Sequence, residues 1–474
     1  MRKLLAAIAA ALLLASCTSA PEPEPLDPKE LAGAVTADAI FAHLERLNGI
    51  ADANDGSRAV GTSGYDATVD YISEVLRDNG FEITTPEYEW LKMGDPGKPT
   101  LEVAGRSYPV TQASPLASTP RGGVRGLSLR PRDPAGCKAA DYGNIRGALA
   151  IVDDTGCSVV VKQNAAVAKG AVGLLVVSAG GTKGLFEPGY YQKLTLPVAV
   201  IDRTIDAALR RTNDPVRLIL DAQASVARSK SVIAQTSTGD STDIVVAGAH
   251  LDSAPRSPGV NDNGSGVAAL LAIADAMGSA PKIDNAVRFA FWGSQRLGAA
   301  GKYLAGLDDG GLDDIAAYLD ATMIGSPNPG YFTLDGDQSG QPNPAIAADT
   351  VPEGSAGIER TLAGYLNGAG VRPADMPLDM AGDYGPFLAA GVPVGGLTTG
   401  AKQQKTPVQA RLWGGRAGAP FDPNAGGPRD GMDNVDHRAL SITGPAMAFT
   451  IGTYARSIEG VNGLPPRDSR NRRG

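Results

Sequence analysis

Two stretches of the chain, Ile244 to His250 (IVVAGAH) and Val287 to Gly293 (VRFAFWG), are apolar but for Arg288 and the closing His250, and rich in β-branched and aromatic residues. A strand with one face in water alternates polar and apolar residues. A mainly apolar run suits a strand covered on both faces. Helical spacing occupies Gly266 to Met277 between the two runs and Ala299 to Ala305 after them. Strand, helix, strand in that order argues for a crossover and therefore for parallel pairing. The chain is thereby restricted to the α/β class, with a mainly parallel central sheet flanked by helices. Ligands on such sheets bind at the carboxyl ends of the strands, and both runs end there in polar residues.

The first run closes on His250-Leu251-Asp252-Ser253, and Asp262 follows in the turn GVNDNGSG, Gly259 to Gly266. Imidazole with carboxylate suits zinc, and Asp252 is placed to orient His250 through its second ring nitrogen. The same residues also have a structural reading. Asp262-Asn263-Gly264 is good turn chemistry, and Ser265 suits a helix cap. Both readings stay open from the residues alone.

Upstream, Ile40, Leu44 and Leu47 share one helical face, as do Val69, Ile72, Val75 and Leu76. Between these helices lies the Gly-rich SRAVGTSGYD. From Pro96 to about Ala222 the texture changes to short β-rich runs, ALAIVD (148–153) and VGLLVV (172–177), with a short helix expected over Lys162 to Ala171. That order suits a small α/β module inserted into the main domain. A chain of 474 residues is in any case long for one domain.

The amino terminus reads MRKLLAAIAAALLLASC. Arg2 and Lys3 precede an apolar run of signal-peptide length, too short for a comfortable membrane span. Leu14-Ala15-Ser16-Cys17 resembles the bacterial lipobox, which implies cleavage before Cys17 and lipid on its thiol. The Pro- and Glu-rich segment after it suits a solvated tether. Residues 1–16 are thus expected to be a signal peptide and 17–35 a lipidated Cys with its tether, anchoring an exported body to the bacterial envelope. With Cys17 lipidated, Cys137 and Cys157 remain as an even pair in an oxidising compartment, which favours a disulfide. The formal charge of −8, with no dense basic cluster in the body, excludes a typical nucleic-acid binder. The basic end, RDSRNRRG, is expected to be disordered over 461–474.

AGAHLDS followed by GVNDNGSGVAALLAIA resembles the metal-binding core of the secreted di-zinc aminopeptidases, the superfamily that includes the glutamate carboxypeptidase and transferrin receptor ectodomains. The resemblance continues through VRFAFWG, MIGSPNPGYF, DYGPFLAAGVPVGGLTTGA, the Phe-Asp-Pro around Asp422 and DNVD (433–436). Gly136-Cys137 and the DYGNIRGALAIVDD segment resemble a protease-associated domain, which shapes access or binds partners. The resemblance implies an aminopeptidase-like domain over 36–94 and 226–460, with the insert over 95–225.

In that family each zinc has a His, a shared Asp and one further carboxylate, with a Glu as general base. His250 matches one His and Asp262 the shared Asp. The remaining positions depart from the pattern. Gln295 stands at the general-base position and Arg296 at the Glu ligand. Thr322 stands at an Asp ligand, and Gly426 at the second His. No Glu occurs between Glu187 and Glu353, so no shift of register restores the pair. Asp320, on the same strand face as Thr322, would lie about 6–7 Å away, too far for a bond of about 2 Å.

Gln295 cannot take a proton from water, and loss of a general base alone costs about 10²–10⁴-fold. Arg296 either pairs with Asp262 in a vacated metal position or turns outward, and the sequence leaves both open. The resemblance therefore implies a catalytically impaired relative that binds a peptide or protein partner, with no cofactor expected. The rival expectation is an active metallo-aminopeptidase with an altered or single zinc. A hydrolase of metal-free mechanism has no support, because no Ser with an adjacent His base is evident.

Overall fold

The computed structural model describes residues 24–178, 184–187, 189–470 and 472. The leader, Cys17 and the first part of the tether lie outside them. Contacts divide the chain into two compact units, Met1–Tyr88 with Arg228–Gly474, and Glu89–Ala227.

The first unit is built on an eight-stranded sheet. Its strands in chain order are β1 (Glu82–Thr84), β2 (Val232–Gln235), β3 (Asp240–His250), β4 (Asn285–Trp292), β5 (Ile315–Ala321), β6 (Phe332–Leu334), β7 (Ala374–Met376) and β8 (Val394–Thr398). They lie in the order β1-β2-β4-β3-β5-β8-β6-β7. The central β4, β3, β5 and β8 are mutually parallel, while β1, β2 and β6 join antiparallel.

Both faces are covered, as the mainly apolar runs suggest. Val245, Ala247 and Ala249 of β3 pack with residues of helices α1 (Ala37–Asp52), α2 (Ser63–Asp78), α3 (Gly264–Met277), α4 (Ser355–Gly368) and α5 (His437–Arg456). Ile244 and Val246 face the other layer, with Trp292, Tyr318 and Phe387. At about 25 cal/mol per Å² of apolar surface buried, these two layers are the main source of the unit's stability. No helix among the described residues is long and apolar enough to cross a membrane.

In the second unit Leu149–Asp153, Gly173–Val177 and Val198–Ile201 form parallel pairs. The helix between the first two spans Val159–Val167, earlier than the sequence suggests. Ser158 starts it, and Gly170 in left-handed backbone ends the segment before the next strand. Cys137 and Cys157 form a disulfide. The side chain of Lys162 is enclosed, its Nζ donating to the carbonyls of Ala135 at 2.7 Å and Thr155 at 2.5 Å, on either side of that bridge.

The basic tail departs from expectation. Arg467 Nε donates to Asp314 Oδ1 at 2.8 Å. Arg470 pairs with Asp243 and donates to the Thr242 carbonyl at 3.0 Å. Arg472 donates to the Gly391 carbonyl at 2.6 Å. The described part of the tail is thus docked along the amino edge of the sheet. Carboxylates and carbonyls at the strand starts give its arginines partners there, and composition alone does not reveal them.

Candidate functional site

The carboxyl ends of β3, β4 and β5 bring His250, the Gly293–Arg296 segment and Thr322 to one edge. His250 is in register with Trp292, and Gly248 with Asp320. The loop after Phe421 reaches the same place. A Cβ built on Gly426 would lie 3.6 Å from Asp262 Oδ2. Every position assigned to the site in the sequence is therefore gathered here.

Two struts fix the loop that carries Asp262. The backbone N–H groups of Asn261 and Asp262 donate to the carboxylate of Asp430 at 2.9 and 3.1 Å. Asn261 Nδ2 donates to Asp422 Oδ2 at 2.6 Å, and Asn434 donates to both carboxylates. From the other side Arg58, fully buried, donates to the carbonyls of Leu251, Pro258 and Gly259 at 2.6, 2.9 and 2.8 Å. Burial lowers its guanidinium to about 10, against the pull of Asp252, Asp430 and Asp262, so it stays charged at neutral pH. The sequence reading passed over Arg58, Asp430 and Asn434. The only trace of them was the Gly-rich loop around Arg58 and the DNVD segment.

His250 Nδ1 lies 3.2 Å from Asp252 Oδ1 and 3.1 Å from the Asp252 carbonyl. Ser294 Oγ donates to the other Asp252 oxygen at 2.7 Å, so Asp252 holds the ring as expected. Nε2 faces Asp262 Oδ1 at 3.6 Å, beyond hydrogen-bond length, and this buried nitrogen has no hydrogen-bond partner. Burial opposes a charged imidazole, but Asp252, Asp262 and Asp383 outweigh it and raise its pKa well above the ordinary range.

Two carboxyls that the sequence did not assign to the site are buried beside it. Asp383 follows β7 in the chain, and its Oδ2 has no partner. Asp320 accepts from Tyr318 OH at 3.2 Å, which in turn accepts from Trp292 Nε1 at 2.9 Å. Burial pushes both carboxyls upward, and for Asp320 the neighbouring Asp383 adds to it. Burial also pushes Asp430 up to about 6. Asn263 Oδ1 is a further buried polar atom without a partner. A folded interior normally satisfies such atoms, so their concentration at this edge singles it out as the candidate site.

The substituted positions resolve as follows. Gln295 is half-buried, and Arg296 is exposed with no ion pair among the described residues. Arg296 therefore takes the outward course, and its guanidinium does not occupy a place beside Asp262. Thr322 Oγ1 accepts from Asn263 Nδ2 at 3.3 Å. Gly426 has a φ of 65°, in the left-handed region.

A zinc ion takes about four donors from imidazole, thiolate and carboxylate. This edge offers His250 Nε2 and the Asp262 carboxylate. An outward-turned arginine, a bonded hydroxyl and a glycine, Arg296, Thr322 and Gly426, stand at the other ligand positions, and the carboxamide of Gln295 at that of the base. The residues present do not fit a zinc pair. A cavity of about 870 Å³, lined in part by Asp243, Asp284, Glu353 and Arg456, lies instead at the amino edge and includes none of these groups.

Comparison with known proteins bears on the whole chain. The family model described as Peptidase family M28 matches residues 231–451, and that of the PA domain matches 124–209. The Mycobacterium tuberculosis protein named "Probable lipoprotein aminopeptidase LpqL" is 43% identical over 454 residues, 93% of this chain and 89% of that protein. A Pseudomonas aeruginosa "Aminopeptidase" is 33% identical over 457 residues, 92% of this chain and 84% of that protein. Among solved structures, an aminopeptidase from Aneurinibacillus sp. strain AM-1 aligns with a TM-score of 0.52 at 18% identity, covering 93% of this chain and 98% of that one.

Proposed function

The chain belongs to peptidase family M28, and from that premise we propose that it is a binding protein on an aminopeptidase scaffold rather than a working aminopeptidase. Its ligand is a peptide or protein segment, and the positively charged amino terminus of that segment is the part best suited to the acidic edge. One observation carries the reading. Where the family resemblance calls for a Glu base, two further carboxylate ligands and a second His, the edge has Gln295, Arg296, Thr322 and Gly426. The buried His250 Nε2 and Asp383 Oδ2 nevertheless remain without partners. Hydrolysis needs a base of suitable pKa within reach of the nucleophile, and none stands at the family's position. Binding needs only shape and charge.

The second reading is an active aminopeptidase with a single or altered zinc. The names of the relatives favour it, as does the approach of His250 to Asp262 at 3.6 Å. Metal analysis of purified protein separates the two. The binding reading expects well under two zinc ions per chain and no release of chromophore from amino-acid amides, even with added zinc. Two tightly held zincs with brisk turnover would overturn it.

We further propose that the mature protein begins at Cys17 and is held at the envelope by lipid there. Metabolic labelling with a clickable fatty acid should mark the protein and fail in Cys17→Ala. Equal labelling of the two would remove the anchor.

A further inference from the structure

The loop after β6 reads Asp335-Gly336-Asp337-Gln338-Ser339-Gly340. Oxygen-bearing side chains at alternate positions, closed by a glycine at the sixth, are the spacing of calcium-binding loops. There the alternation turns the donors toward one point and glycine permits the sharp turn. Such loops usually close on a Glu of their own. Here Glu359, on α4, takes that place. The carboxylate oxygens of Asp335, Asp337 and Glu359 lie within 4.8 Å of one another. A fourth carboxylate belongs to Asp375 of β7. A Cβ built on Gly340 would lie 2.9 Å from Asp375 Oδ2 and 3.0 Å from Asp335 Oδ2. The absent side chain keeps the space between these two groups open.

A second, independent observation comes from Thr333. It is buried, and its Oγ1 has no hydrogen-bond partner. It precedes Asp335 by two residues in extended chain and is in register with Asp375, so all three side chains point to one side of the sheet. Its register partner in β8 is Leu397, which packs with Ile358 and Leu362 of α4. The hydroxyl is therefore turned into the layer that holds Glu359. The charged groups acting on Glu359 are the carboxylates of Asp337, Asp335 and Asp375, while its Oε2 accepts the backbone N–H groups of Gly336 and Asp337 at 2.8 and 3.1 Å. Asp337 and Ser339 are exposed, which gives an ion a way in.

We propose that Asp335, Asp337, Glu359 and Asp375 form a site for a hard divalent cation of the calcium type, separate from the His250 edge. The donors are all oxygen. Imidazole and thiolate are lacking, which disfavours zinc and copper. The irregular loop, which mixes exposed and buried donors, suits calcium better than the strict octahedron of magnesium. The site stands whether or not the other edge binds peptides.

The test is a calcium titration of the mature protein after chelator treatment, read by calorimetry and by thermal melting. About one calcium per chain is expected, with a Kd on the order of 10⁻⁴ M or tighter and a rise in Tm. Asp337→Asn alters only an exposed side chain, so it should fold normally and bind at least about tenfold more weakly, as should Glu359→Gln. No heat and no rise in Tm for the unaltered protein would overturn the site. So would equal affinity in both variants. Calcium binding lost instead in Asp262→Asn would place the ion at the wrong edge and overturn it equally.

Discussion

At the carboxyl edge of the sheet, the carboxylates of Asp252, Asp262, Asp383 and Asp430 share their space with the His250 imidazole and the Arg58 guanidinium. In the Asp335–Gly340 loop, Asp335, Asp337 and Glu359 meet backbone N–H groups and one another. Gly336 and Asp337 donate to Glu359 at 2.8 and 3.1 Å, and Ser339 and Gly340 donate to Asp335 at 3.0 and 3.1 Å. The difference shows what internal cations do. A buried carboxylate beside a fixed cation can be held without a metal. One surrounded by other carboxylates is relieved by protonation or by an ion from outside. The edge that the family resemblance marks as a metal centre thus carries cations of its own beside its carboxyls, whereas the groups acting on Glu359 in the loop include no cation.

The largest effect should come from restoring the lost donors. A chain carrying Gln295→Glu, Arg296→Glu, Thr322→Asp and Gly426→His should raise zinc content toward two per chain. It should also hydrolyse amino-acid amides at least about 10²-fold faster than the parent, the lower end of what a general base contributes. A Cβ at this position stands 3.6 Å from Asp262 Oδ2, an ordinary contact distance, so the first atom of the new side chain meets no clash there. The left-handed φ at Gly426 makes that substitution the costliest of the four. Unchanged zinc by atomic absorption would break the comparison, because the edge would then not be a metal centre short of its ligands.

Next in size is Asp430→Asn. It removes an acceptor from the backbone donors that position Asp262, and should cost about 1–3 kcal/mol in denaturant unfolding. Asp337→Asn in calcium-free buffer should stay within about 0.5 kcal/mol. Equal costs would erase the distinction between a strut and a ligand.

The pH dependence sharpens the contrast. Glu359 is raised to about 7 in the folded chain, so the native state binds a proton that the unfolded chain has already released. Stability from this group is present at low pH and lost as pH rises through about 7. The Tm of calcium-free protein should therefore fall between about pH 5 and pH 8, and Glu359→Gln should flatten the slope. Added calcium should oppose the fall, because it favours the charged carboxylates. A slope identical in the variant would remove Glu359 as a contributor. The smallest effect is expected at Arg296→Ala, within about 0.5 kcal/mol, since the side chain is exposed and unpaired. A larger loss in thermal melts would mean that Arg296 reaches a partner at the edge.

Much of this molecule could be read along the chain. The mainly apolar runs at 244–250 and 287–293 are two central strands with a shared edge. The Asp262 turn preceded a helix as expected, and Cys137 joined Cys157. His250, Asp252 and Asp262 stand together where the spacing placed them. Other features were hidden. Arg58 braces carbonyls 193–201 residues away, and Asp430 holds a turn 168–169 residues earlier. Asp383 opens the DYGPFLAA segment and Asp320 precedes Thr322 by two residues, but neither was assigned to the site, and the tail read as disordered because only its composition was visible. Apolar periodicity is local, because each residue's face is set by its neighbours in the same strand or helix. The partner of a polar group is chosen by which distant segment the folded sheet brings beside it. The sequence by itself therefore determined the layers, the edge and the residues missing from the metal pattern. Only the tertiary structure decided that Arg296 turns outward and that Asp335 and Asp337 bring their carboxylates together with that of Glu359, apart from them in the chain.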